Sequence, residues 1–213
     1  MRTISREVAD AFGLESQLTP QRLHAELLGV CASDSRAYLL GALHDATSSR
    51  AHRTVRFGQS DVRWLYVIRA LLAGLDQRAW LYREGRNRRF WILETSRRWL
   101  DDASAPTTQS EMRAYARGYF DAEGGVPRDL GARRYIQFVQ KDREDLAELR
   151  AMLERLGIRC GMLHNPSSRV DPDMWRFYVA ASSQREFARM IGSWHPRKRS
   201  LFDILVSRTR MVR

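Results

Sequence analysis

The chain is written twice, and no other feature constrains its fold as much. "AYLLGALHDATSS" (Ala37–Ser49) returns as "AYARGYFDAEGGV" (Ala114–Val126). "RTVRFGQSDVRWLYVIRALLAGLD" (Arg53–Asp76) matches "RYIQFVQKDREDLAELRAMLERLG" (Arg134–Gly157), and "RFWILETS" (Arg89–Ser96) matches "WRFYVAASS" (Trp175–Ser183). Order and spacing agree, so one structural unit is built twice. The repeats run over residues 35–104 and 105–213, the second with a C-terminal helix. "DASAPTTQS" (Asp102–Ser110) joins them, and its Ser, Thr and Pro break both periodicities and can cap the next helix. Residues 1–34 lie outside the repeat. They read as a helical extension, "TISREVADAFG" and "TPQRLHAELLG" being two short helices with a turn.

Each unit reads as helix, two strands, longer helix, two strands, helix. Val55 and Phe57 alternate with Thr54 and Arg56, and Ile136 and Phe138 with Tyr135 and Gln137, which is the half-buried strand pattern. Ser60 and Asp142 are the expected caps of the longer helices. "RAWLYRE" with "RFWILE", and "RCGMLHN" with "WRFYVA", supply the other strands. The fold class is therefore α+β: two αββαββα repeats, each an antiparallel sheet backed by helices on one face.

The charge points to a polyanionic partner. Net charge is +11, with 36 Lys and Arg. Only Lys141 and Lys198 are lysines; the rest are arginine, which suits bidentate contacts to phosphate and guanine edges. Such charge on a globular chain favours nucleic acid over a small substrate. There is no apolar run of about 18 residues and no detached basic amphipathic tail, so a membrane is not expected as partner. No signal peptide is visible in "MRTISREVADAFG", and a cytoplasmic protein of prokaryotic or organellar origin is expected. Cys31 and Cys160 lack metal-type spacing and read as buried thiols.

"YARGYFDAEGGV" ends its helix on Asp121 and Glu123, where the helix dipole disfavours acids. Ala114, Gly118 and Ala122 make one stripe of small residues, and Ala37, Gly41 and Asp45 make the matching one. Small stripes let helix backbones approach closely. With these features, twice over in a basic chain, the sequence resembles the LAGLIDADG homing endonucleases, single-chain type. "LLAGLD" (Leu71–Asp76) spells that name more closely but is a plain helix end.

The resemblance implies that the two motif helices pack about a pseudo-twofold axis through Ala37, Gly41, Ala114 and Gly118. It implies that acids at their ends hold Mg²⁺, or another divalent cation such as Mn²⁺ or Ca²⁺. Glu123 takes the metal-binding position, and Asp121 the earlier, structural one. The first motif departs from the pattern. Five residues on from Gly118 is Glu123, but five on from Gly41 is Ala46. Asp45 is one residue early, and a change in helix winding would bring it to the metal. His44 reads as a core or interface residue. Lys141, Lys198 (in "HPRKRS") and Gln59 take the places of the family's catalytic lysines and glutamine. The sheets would form a DNA-binding saddle in the major groove. Arg53, Arg56, Arg78, Arg83, Arg86, Arg88, Arg89, Arg133, Gln137, Arg169 and Arg176 would contact DNA. The expected function is site-specific double-strand cleavage by a free-standing, intron-encoded monomer at a long DNA site. Two alternatives use the same surface. One is a degenerate DNA-binding protein, favoured by Ala46; the other is an RNA maturase acting on its host intron RNA.

Overall fold

The computed structural model describes residues 27, 29–49, 51–85, 89–101, 103–127, 134–199 and 202. The expected helical extension at 1–34 and the expected contacts of Arg86, Arg88 and Arg133 fall almost wholly or wholly outside them.

Helix α1 (Ala32–Ala42) runs into a 3₁₀ turn (Leu43–Asp45) and strand β1 (Ala46–Ser49). Strand β2 (Thr54–Gln59), helix α2 (Val62–Gly74), and strands β3 (Ala79–Arg83) and β4 (Trp91–Ser96) complete the first repeat, with a 3₁₀ turn at Arg97–Leu100. The second repeat is α3 (Gln109–Glu123), β5 (Gly124–Gly125), β6 (Gln137–Gln140), α4 (Arg143–Arg155), β7 (Trp175–Tyr178) and α5 (Gln184–Met190). The sheets are antiparallel, in order β1-β2-β4-β3 and β5-β6-β7.

Local chemistry sets the helix ends. Thr108 and Glu111 form a reciprocal capping box at the start of α3. Asp142 caps α4, as expected, but Asp61 rather than Ser60 caps α2, accepting from Arg63 N–H. The aspartate is one residue nearer the first turn, and its carboxylate also accepts from the Arg63 side chain. Helix α2 stops at Gly74, and Asp76 just beyond it takes the left-handed conformation (φ 57°) that Gly157 (φ 83°) takes after α4. "LLAGLD" is thus a helix end.

Each repeat has its own core. Val55 and Phe57 pack inward with Tyr38, Trp64, Leu65, Ile68 and Leu93. Ile136 and Phe138 pack inward with Phe120, Leu146, Leu153, Phe177 and Phe187. Burial of each such side chain contributes about 1.5–3 kcal/mol. Two expectations need correction. "RCGMLHN" makes only isolated bridges at Cys160 and His164, because the chain there turns back through a polar loop. Cys31 is exposed and Cys160 half-buried; Cys31 precedes α1 as its N-terminal flank, outside the core. Among the described residues, no helix is long and apolar enough to cross a membrane.

The two cores meet along α1 and α3. A Cβ added at Gly118 would land inside 3.0 Å of the Tyr38 carbonyl oxygen, and one added at Gly41 would do the same to that of Tyr115. Tyr38 and Tyr115 hold the same place in the two repeats, so the approach is reciprocal. Backbone cannot yield as a flexible side chain can. Gly118→Ala should therefore destabilise the fold by about 2 kcal/mol or more, read as a lower urea midpoint at unchanged slope. Gly74→Ala, with nothing within 4 Å of its added Cβ, is the control.

Candidate functional site

The helix pair decides where the acids end. In α3, Glu123 closes the helix and Gly124 begins β5, paired with Phe138. In the first repeat Asp45 closes the 3₁₀ turn and Ala46 begins β1, paired with Phe57. Phe57 and Phe138 are equivalent in the repeat, so Ala46 matches Gly124 and Asp45 matches Glu123. The missing residue is absorbed by winding. Five α-helical steps advance about 7.5 Å, and one α step plus three 3₁₀ steps advance about the same. The helix ends reach the same depth with one residue fewer.

Burial and mutual charge set the chemistry of the pair. Burial raises the Asp45 carboxyl, opposed by a hydrogen bond from Gln59 and by the Lys198 charge. Burial likewise raises Glu123, and the Asp45 charge raises it further, while Lys198 lowers it. Gln59 Nε2 donates to Asp45 Oδ2. The equivalent Gln140 instead accepts from Lys141 N–H (2.7 Å), and Lys141 is exposed. The two halves of the site are therefore not alike.

Asp121 is buried between the repeats. It accepts from Tyr38 OH (2.6 Å), Ser193 Oγ and Trp194 N–H (2.9 Å), and Trp64 Nε1 donates to Tyr38 OH (2.8 Å). The segment after α5 is thereby clamped onto both motif helices, and Arg117 adds a bond to the Ile191 carbonyl. Nothing in the composition of "GSWHP" marks this role; only the buried acid hinted that a donor set existed. Lys198, 4% exposed, lies in the same segment. Its Nζ donates to the carbonyls of Phe120 (2.6 Å) and Asp121 (2.8 Å). Gly124 N–H also reaches Phe120, but the chain leaves for β5 before a donor reaches Asp121. Lys198 supplies that donor and a cation at the helix C-terminus. A cavity of about 310 Å³ lies here, lined by Gln59, Ser60, Asp61, Gly124, His195 and Lys198. A larger cavity of about 530 Å³, between the linker, α3 and α4, holds none of the paired acids.

His44 is an interface residue. Its ring lies 3.9 Å from that of Tyr119, with Nε2 3.1 Å from Tyr115 OH and Nδ1 3.5 Å from Asp145. Of the residues expected to touch DNA, Arg53, Arg78, Arg83, Arg89 and Arg169 are exposed, and Arg56, Gln137 and Arg176 are partly exposed.

Residues 110–192 match the family model of the LAGLIDADG-like domain. These residues form a LAGLIDADG-like domain. The LAGLIDADG homing-endonuclease-like fold extends to most of the chain, as solved structures show. Full-length DUF199/WhiA from Thermatoga maritima superposes with a TM-score of 0.64 at 16% identity, over 91% of this chain and 67% of that one. The N-terminal LAGLIDADG domain of DUF199/WhiA gives 0.62 at 16% identity, over 86% and 94%. I-DmoI in complex with DNA and Mn gives 0.58 at 17%, over 76% and 98%. The comparison with curated proteins gives no match.

Lys198→Met should cost about 1–3 kcal/mol at neutral pH by leaving the Asp121 carbonyl unpaired. It carries a pH signature as well. Burial, the largest influence, lowers the Lys198 ammonium to about 8, while the unfolded chain holds its proton to about 10.4. Unfolding then takes up a proton in that window, so this group's contribution to stability rises between about pH 8 and 10.4. The wild-type-minus-variant difference in denaturation midpoint should show that rise.

Proposed function

We propose that the chain is a site-specific double-strand DNA endonuclease. The observation that carries the reading is the equivalence of Asp45 and Glu123, two carboxylates at the ends of helices in backbone contact, within a basic protein. Among the described residues no group of three or more His, Cys, Asp and Glu gathers to hold a metal. Mg²⁺ does not require one: it is commonly held by one or two carboxylates with substrate phosphate oxygens and water completing the shell. Two half-buried carboxylates that raise one another's proton affinity fit a hard divalent cation. Asp45 and Glu123 would hold Mg²⁺, Mn²⁺ or Ca²⁺, which when bound supplies charge stabilisation at the phosphate and an activated water. I-DmoI has been solved with DNA and Mn, with DNA and Ca, and with DNA and Mg.

The chain's own groups do the positioning. Gln59 orients Asp45 through its amide. Lys198 fixes the last turn of α3 and hence Glu123. Lys141, exposed at the end of β6, is free in space to meet a phosphate. The outward faces of the sheets, with Arg53, Arg56, Arg78 and Arg176, would grip a long DNA site from a monomer.

A second reading is a DNA-binding protein that does not cut. Gln59 already engages Asp45, and the same fold occurs in WhiA as well as in I-DmoI, so the fold alone does not select an activity.

Cleavage of a plasmid library carrying randomised inserts, with Mg²⁺, separates the two. Linear product is expected from the wild type. Glu123→Gln and Asp45→Asn should each lower the cleavage rate about 100-fold or more, with binding to the recovered sites changed only a few-fold. Tight binding with no linear plasmid at any Mg²⁺ concentration would establish the second reading instead.

A further inference from the structure

The solvent face of the first sheet carries one row of side chains that the sequence did not single out. Thr47 on β1 pairs with Arg56 on β2; Arg56 pairs with Glu94 on β4; Glu94 pairs with Trp80 on β3. The four lie in one line across four strands. Their neighbours Phe57, Leu93 and Thr95 are buried on the opposite face, while Trp80 is 57% exposed. Adjacent strands are about 4.8 Å apart, so the row spans about 14 Å. The major groove of B-DNA is about 12 Å wide, a match for a row of this length.

A carboxylate in the middle of that row is out of place for holding phosphate. Glu94 would repel the backbone that the surrounding arginines attract. Its ion pair does not justify it either: the Glu94–Arg56 separation is 3.9 Å, and Arg56 makes its closer contact, 2.9 Å, to Glu84. Partly exposed pairs of this kind contribute little to stability. Yet Glu94 is held in place, with Tyr82 OH donating to its Oε2 (2.8 Å). Arg56 Nε is buried and has no hydrogen-bond partner. The pair is thus fixed in orientation, with acceptor capacity left on Glu94 and donor capacity left on Arg56.

We propose that Glu94 and Arg56 together read a single G·C base pair in the half-site facing the first repeat. Arg56 donates to the guanine O6 and N7, and Glu94 accepts from the cytosine N4 amino group. These are the edges that the two side-chain types recognise in the major groove. Adjacent strands place donor and acceptor side by side, as the two bases of one pair place acceptor and donor. Trp80, next in the row, supplies an apolar face suited to a thymine methyl at the flanking position. The second sheet has no equivalent. Glu94 corresponds in the repeat to Tyr178, and Arg56 to Gln137. The inference rests on the DNA-binding reading given above.

Selection by binding from a randomised duplex pool, with chelator present to prevent cutting, tests it. The wild-type motif should contain one strongly fixed G·C pair. Glu94→Gln should lower the preference at that pair about tenfold and leave the rest of the motif unchanged. Arg56→Lys, which keeps the charge but loses the bidentate fork, should relax the same pair. A wild-type motif that neither substitution alters, or that the two alter at different pairs, overturns this assignment alone. Failure of the wild type to enrich any motif overturns both it and the sequence-specific DNA reading on which it rests.

Discussion

The rest of the structure depends on the backbone contact between α1 and α3. Gly41 and Gly118 have no Cβ, and each lies against a carbonyl of the facing helix. That approach holds the two repeats together along a line rather than through interdigitating side chains, and it brings both helix C-termini to one place. The electrostatic consequence is unfavourable. Two helix ends, each with partial negative charge, meet where the chain also puts Asp45, Asp121 and Glu123. Most of the unusual features nearby are responses to this.

The responses differ between the two ends. Asp121 is surrounded by donors from three separate segments, so its burial is compensated by hydrogen bonds. Lys198 adds a cation and closes the α3 carbonyls. At the first helix end the backbone itself changes. The 3₁₀ turn tightens the last steps, and Gln59 donates to Asp45. A single chain, unlike a homodimer, can let its two halves drift apart in this way. Each half then keeps the acid at the same depth by a different local solution.

Much of this was legible in the sequence because repetition converts weak local signals into strong ones. Val55, Phe57, Ile136 and Phe138 were readable as inward residues from alternation alone, and the small stripes implied the helix contact. Asp45 illustrates the limit. Counting along an ideal helix selects Ala46; only the strand register, Ala46 with Phe57 and Gly124 with Phe138, reveals which residues correspond. Ser60 was preferred to Asp61 as a cap because a hydroxyl one residue earlier fits the same pattern. Lys198 could be flagged by rarity, but the number of residues between it and Phe120 hides the bonds it makes. Contacts of that range are set by how the segment after α5 folds back, which has no local periodicity to read.

The row Thr47–Arg56–Glu94–Trp80 was hidden for a related reason. Its members are scattered along the chain and become neighbours only through the order β1-β2-β4-β3. Charge counting also obscured it, since a basic protein draws attention to its arginines. A nucleic-acid surface built of arginine alone would bind every sequence nearly equally, because phosphate contacts carry no sequence information. Discrimination requires groups that phosphate does not want, placed where only a base edge can satisfy them. Glu94 is such a group, held by Tyr82 beside the arginine that gives it a partner. The acids of this protein therefore fall into distinct physical situations: paired at the helix ends, enclosed by donors at Asp121, and displayed on the sheet face at Glu94.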